Sequence, residues 1–325
     1  MRVAVSGAGG RLGRALIAAL EDAPFTGPLG PIPWGRDAFD LDEPGGFAAL
    51  LDGDRPEVVV HAAAWTDVDG CAREPDRAIA RNADATGVLA AATAERGIDL
   101  LVVSTNEVFD GRRDDALGYG PDDAPNPINP YGASKLAGED AARASYGRGT
   151  SADLSDGGRP GSGGGANGPR RGGPALGIVR TAWLFGPPGN DFPSKILAAA
   201  TRARNAGEPL RLVADEVGSP TFTVDLAEAI VELIAEAAIE GTHHVVNRGV
   251  ASRADWGREV LRQAGIDVAT EDVPAATWPR ASTPPAWAVL APSPLPGGEP
   301  LRPWQRALAD RMPELLREAA AGRHS

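Results

Sequence analysis

The chain is poor in the residues that announce whole classes of function. Its 325 residues include one cysteine, Cys71, which excludes an internal disulfide and points to a reducing compartment. Of 32 basic residues only two are lysines, Lys135 and Lys195, and there are only three tyrosines, Tyr119, Tyr131 and Tyr146. The formal charge is −12, and no basic run offers a track for a phosphate backbone, so no nucleic-acid partner is expected. No apolar stretch reaches membrane-spanning length. The chain opens directly into Arg2-Val3-Ala4-Val5, without the zones of an export signal. A soluble, cytoplasmic protein follows as the expectation, long enough for one large or two smaller domains with a sizeable core.

This scarcity makes one pair informative. Tyr131 and Lys135 stand four residues apart, a spacing that chance would produce in roughly one such chain in fifty. On a helix both side chains share a face. Asn129 suits an N-cap and Pro130 the first helical position, so the pair falls in the first two turns. The positive helix end and a neighbouring ammonium would favour tyrosinate, lowering the phenol pKa so that it donates a proton to a carbonyl oxygen near neutral pH. Thr105 ends the run Leu100–Ser104 and would lie at the carboxyl edge of a parallel sheet, where ligands bind. Ser104 is its competitor, since alternation along a strand turns only one of the two hydroxyls to a site.

Organisation along the chain is α/β. Apolar runs without alternation (Val3–Val5, Val58–His61, Leu100–Val103) are separated by helical patterns at Leu12–Leu20 and Arg77–Arg96. That is the signature of a doubly wound, Rossmann-like parallel sheet. A weak second strand is placed at Leu29–Trp34, crowded by Pro28, Pro31 and Pro33. A helix at Lys135–Ser145 precedes residues 147–174, which hold 11 of the 41 glycines and read as a disordered insertion ahead of a strand at Leu176–Val179. Beyond it, helices are expected at Phe192–Asn205, Asp225–Ala238, Arg253–Ala264 and Trp304–Ala320, and strands at Leu210–Val213 and His243–Asn247. Residues 1–186 are read as a cofactor-binding domain. Residues 187–325 are read as mainly substrate-binding, with about 223–247 returning to the first domain.

Ser6-Gly7-Ala8-Gly9-Gly10-Arg11-Leu12-Gly13 follows the first strand and opens the first helix. The spacing Gly-x-x-Gly-x-x-Gly permits a tight turn, close approach to a pyrophosphate and close helix–strand packing, with the helix N-terminus facing the phosphates. This turn resembles that of the extended short-chain dehydrogenase/reductase superfamily. No acidic residue ends the second strand to hold an adenosine ribose 2′-hydroxyl. Arg36 just beyond it, or Arg11 in the turn, would meet a 2′-phosphate, so NADPH is expected in preference to NADH.

Further motifs narrow the resemblance. They are His61-Ala62-Ala63-Ala64-Trp65-Thr66-Asp67-Val68-Asp69, Ser104-Thr105, Val108-Phe109-Asp110-Gly111, Asn129–Glu139, Arg180-Thr181-Ala182-Trp183-Leu184-Phe185-Gly186, Gly218-Ser219-Pro220-Thr221 and Arg302-Pro303-Trp304. In this order they resemble the dTDP-4-dehydrorhamnose reductase family over nearly the whole chain, the insertion excepted.

The resemblance implies NADPH-dependent reduction of the 4-keto group of dTDP-4-dehydro-β-L-rhamnose. Tyr131 would donate the proton, Lys135 would hold the nicotinamide ribose, and Thr105 would hold the keto oxygen. Gly7, Gly9, Gly10, Arg11, Leu12 and Gly13, with Arg36, Asp40, Leu41, Ala62, Ala63, Ala64 and Asn82, would line the cofactor. Thr66, Val68, Asp69 and Trp183 would face the sugar, and Asn190 and Phe192 the thymine and pyrophosphate. Some members of the family form homodimers, in some cases with Mg²⁺ at the interface, but these residues place no such metal site.

The chain departs from the family at Asn106-Glu107, where an acid and an aromatic are usual. The departure leaves the proton-transfer residues intact and changes the pocket wall, so a ketoreductase for another nucleotide-linked 4-keto-6-deoxysugar stays open. A non-catalytic NADP-binding subunit would have no need to keep Thr105, Tyr131 and Lys135 together. Metal and thiol chemistry have weaker claims, since His243 and His244 would face opposite sides of a strand and Cys71 lacks an obvious base.

Overall fold

A computed structural model describes residues 1–150 and 173–321; most of the segment expected to be disordered, 151–172, lies outside the described residues. Six parallel strands form the main sheet. Five are β1 (Val3–Ser6), β2 (Ile32–Trp34), β3 (Val58–His61), β4 (Asp99–Thr105) and β5 (Leu176–Thr181), and the sixth is Gly241–His244. The spatial order is Gly241–His244, β5, β4, β3, β1, β2. All four residues of β1 and of β3 are buried, as strands covered by helices on both faces require. Parallel pairing brings every carboxyl end to one edge, where the residues expected to carry function gather.

The second strand is shorter than expected because Leu29 closes a 3-10 turn over Gly27–Leu29. Pro33 is tolerated since β2 is an edge strand, where a missing N–H leaves no ladder bond unmade. Helix α1, Arg11–Glu21, packs its apolar stripe of Leu12, Leu16 and Leu20 into a core shared with Leu226, Ile230 and Leu233 of the helix Thr223–Ala235. That late helix and the strand Gly241–His244, which pairs with β5, thus pack with the N-terminal half. The expected strand over His243–Asn247 is shifted to Gly241–His244. His244 is buried there while His243 is half-buried and reaches the carbonyls of Ile239 and Glu240.

A second core gathers Phe185, Leu197, Leu212, Trp256, Leu261, Trp304 and Leu308. It joins the helices Phe192–Ala206, Arg253–Ala264 and Trp304–Ala321. The expected helix after Asn129 is longer than its pattern suggested, running Pro130–Thr150. The Arg77–Arg96 pattern is broken by a π-helical turn at Ala80–Asp84. Among the described residues no helix is long and apolar enough to cross a membrane.

Candidate active site

The carboxyl edge of the sheet opens into a cleft of about 850 Å³. On one side runs the glycine turn between β1 and α1. Gly7 has φ +70°, and a Cβ on it would lie 2.8 Å from the Ala63 nitrogen; a Cβ on Gly13 would lie 2.1 Å from the Gly7 carbonyl. Only glycine lets the turn, the helix and the 62–64 segment approach this closely. Gly10, at the helix N-cap, offers no capping side chain, so the first N–H groups of α1 remain to bind an anion.

The other wall is the start of the helix Pro130–Thr150. Asn129 caps it, its Oδ1 accepting from the Gly132 N–H at 2.8 Å. Tyr131, Lys135 and Glu139 then repeat at one-turn intervals on one face. Glu139 is fully buried and accepts from Arg180 Nη2 at 2.7 Å and Nε at 3.0 Å. Ser104 Oγ donates to Glu139 Oε1 at 2.5 Å. Both hydroxyls of β4 reach the cleft, but Ser104 is tied to the buried ion pair. Thr105 stands at the cleft, accepting from the Glu107 N–H at 3.2 Å.

The electrostatics correct one expectation. Tyr131 is not held as tyrosinate. Burial raises its pKa well above 10, Glu107 adds to the rise, and Thr105 works against it. Taking the phenol out of water disfavours its charged form, and the nearby Glu107 carboxyl works in the same direction. Lys135 is 3% exposed and is pulled down to about 8 by burial, with Glu139 opposing. Its ammonium has no hydrogen-bond or ion-pair partner among the described residues. A protonated phenol and a buried, unpartnered cation are the states that a proton donor and a ligand-binding lysine need.

Gly7, Gly9, Gly10, Arg11, Leu12, Gly13, Arg36, Asp40, Leu41, Ala62, Ala63, Ala64, Thr66, Val68, Thr105, Tyr131, Lys135 and Trp183 all line this cleft. The Arg11 guanidinium, however, is committed to the carbonyls of Gly186, Pro188 and Gly189, whereas the exposed Arg36 makes no side-chain hydrogen bond or ion pair among the described residues and only acts on Asp42 at longer range. Four expected residues stand off the wall. Asn82, buried in the π-helical turn, accepts from the Trp65 N–H at 2.7 Å and donates to the Trp65 carbonyl and Ser134 Oγ at 3.0 Å each. It therefore acts on the 62–66 segment from behind. Asp69 accepts from the Ser282 N–H at 3.0 Å. Asn190 is exposed in a left-handed turn, φ +69°. Phe192 stacks on Trp256 at 4.3 Å, drawn into the second core.

The sequence assigned no role to two lining residues, Arg253 and Thr181, and Arg253 meets the expected Trp183. Trp183 sits at φ +43°, strained for an aromatic, with the Arg253 guanidinium 3.5 Å over its ring. Arg253 opens the helix Arg253–Ala264, paired with Glu216 at 3.5 Å; desolvation lowers it to about 10, still a cation at neutral pH. A capping box at Ser252 and Asp255 marks that helix start, but nothing local brings it to a tryptophan 70 positions earlier. Thr181 Oγ1 also lines the cleft, buried and without a partner, so a polar ligand group would satisfy it. Among the described residues no cluster of three or more His, Cys, Asp or Glu could hold a metal.

The comparisons agree with this geometry. The model of the RmlD substrate binding domain matches residues 1–150 and 170–317. The dTDP-4-dehydrorhamnose reductase of Mycolicibacterium smegmatis is 34% identical over 95% of this chain and 84% of its own. A dTDP-4-keto-6-deoxy-D-glucose reductase of Streptomyces niveus is 32% identical over 96% of each. The structure of Bacillus anthracis dTDP-4-dehydrorhamnose reductase in complex with NADP superposes with a TM-score of 0.80 at 28% identity, over 96% of this chain and 99% of that one. The glycine turn, the Tyr131–Lys135 helix and matches over nearly the full length leave one assignment: the chain belongs to the RmlD substrate-binding-domain family, the dTDP-4-dehydrorhamnose reductases.

Proposed function

We propose that this chain reduces the 4-keto group of dTDP-4-dehydro-β-L-rhamnose with NADPH, in the cytoplasm, forming dTDP-β-L-rhamnose. The observation that carries the reading is the convergence of Thr105, Tyr131 and Lys135 on the same cleft as the glycine turn. Residues 1–186, with the 223–247 return, would hold the cofactor, and most of 187–325 would close over the sugar. The N–H groups opening α1 would bind the pyrophosphate, Arg36 a 2′-phosphate, and the Lys135 ammonium the nicotinamide ribose. Thr181 supplies an unused hydroxyl at the same wall. NADPH, when bound, supplies the hydride.

The protein's own part is orientation and a proton. Thr105 would hold the C4 oxygen, and Tyr131, protonated because it is buried, would donate to that oxygen as charge develops on it. Mixing purified protein with NADPH and the dTDP-4-keto sugar tests the reading by loss of reduced-nicotinamide absorbance. Silence would overturn the enzyme assignment, and turnover that survives Tyr131→Phe would overturn the proton donor.

A further inference from the structure

Glu107 occupies the cleft where the family usually has an aromatic, and its carboxyl group is half used. It follows Thr105 on the 3-10 turn Asn106–Val108 and lines the cleft beside Tyr131. Its Oε2 accepts from Asn129 Nδ2 at 2.7 Å, so the cap of the helix that carries Tyr131 also holds this carboxyl. No hydrogen bond reaches Oε1 among the described residues. Desolvation raises the Glu107 pKa, with Asn129, Arg280 and Arg253 opposing and Glu216 adding to the rise. Glu107 in turn acts on Tyr131 across the cleft. Glu107 is half-buried at the cleft wall, so a carboxyl oxygen that no protein donor satisfies is available there to a ligand's donor.

On a 4-keto-6-deoxysugar the carbonyl at C4 has two neighbouring carbons. C5 bears the methyl group and the ring oxygen; C3 alone bears a hydroxyl. A donor arriving beside the oxygen protonated by Tyr131 is therefore the C3 hydroxyl. We infer that Glu107 is a specificity-determining residue whose Oε1 accepts a hydrogen bond from the sugar's C3 hydroxyl, selecting 3-hydroxy over 3-deoxy 4-ketosugars. This deepens the proposed reductase reading and rests on it.

Steady-state kinetics with two dTDP-4-keto-6-deoxysugars, one bearing the C3 hydroxyl and one 3-deoxy, test it on wild type, Glu107→Ala and Glu107→Gln. Wild type is expected to prefer the 3-hydroxy sugar about 10- to 100-fold in kcat/KM, the range for a hydrogen bond to a charged group. Glu107→Ala should lose that preference by losing much more rate on the 3-hydroxy sugar than on the 3-deoxy one. In Glu107→Gln the amide oxygen stays with Asn129 Nδ2 and the NH₂ group faces the sugar, so part of the preference should return. An equal loss on both sugars would overturn the inference and make Glu107 a support for Tyr131. A wild type that reduces both sugars equally well would also overturn it while leaving the reductase reading intact. A wild type that consumes NADPH with neither would overturn both. Binding of the two dTDP-sugar products to the NADP-loaded variants, by calorimetry, separates lost recognition from lost chemistry.

Discussion

The α-carbon of Gly132 lies against the backbone of Glu107, where a Cβ would come within 2.0 Å of the Glu107 carbonyl oxygen. The residue after Tyr131 thus packs on the residue two beyond Thr105. The end of β4 and the start of the Pro130–Thr150 helix are held at one fixed separation, and the two hydroxyls of the site with them. Gly132→Ala must push these segments apart. Overpacking of this kind costs about 1–3 kcal/mol, and a shift near 1 Å between reacting groups can cost about 100-fold in rate. The expected variant folds with a lowered melting temperature and loses far more kcat than its stability accounts for, as thermal unfolding and turnover measured side by side would show.

Lys135 is kept for function at a cost in stability. Its folded pKa, about 8, lies below the ordinary 10.5, so the unfolded chain binds more protons between those values. Stability therefore rises with pH across that window, and the full penalty is present below it. The shift corresponds to about 3 kcal/mol. Lys135→Met, which keeps the stem and removes the charge, is expected to raise cofactor-free stability at pH 7 by about 1–3 kcal/mol and to abolish reduction. A urea midpoint that does not rise would count against the buried-cation account.

His61 sets a limit on the acid side. It is fully buried at the end of β3, bonded to Ser6 Oγ at 2.7 Å and Thr86 Oγ1 at 3.1 Å. Burial, with the nearby Lys135, holds its pKa at about 3 instead of 6.5. Between those values the unfolded chain takes up a proton that the folded one refuses, so stability falls as pH drops. From pH 7 to 5 the loss is about 2 kcal/mol. In His61→Asn that slope should flatten, although the variant starts less stable. Parallel curves for the two proteins would assign the acid sensitivity to other groups.

Arg36 should decide which nicotinamide cofactor is used. It is exposed at the cleft, just past β2, and its guanidinium makes no hydrogen bond or ion pair among the described residues. Arg36→Ala is expected to raise the KM for NADPH about 10- to 100-fold, the range for a lost charge-assisted bond to phosphate, and to leave NADH unchanged. An unaltered NADPH-to-NADH ratio would remove Arg36 from the role.

Much of the site was legible because its parts are local. The glycine turn needs only a strand, a turn and a helix in sequence. The pair Tyr131 and Lys135 needs only a cap at Asn129 and the period of a helix. Arg253, Glu216 and Trp183 meet across long separations, and no local pattern encodes that contact. Phe192 shows the converse: the family resemblance suggested it for the site, and its stacking on Trp256 is a contact that no local pattern encodes.

The sequence by itself determined the parallel sheet, the glycine turn and the tyrosine and lysine that share a helix face, since these follow from period, capping and glycine's backbone freedom. Only the tertiary structure decided which way the acidity of that tyrosine moves, because burial is a property of the packed molecule and raises the phenol pKa. It also decided that Ser104 is tied to the Glu139–Arg180 pair while Thr105 is not, since two adjacent hydroxyls at one cleft differ only in what the fold sets opposite each.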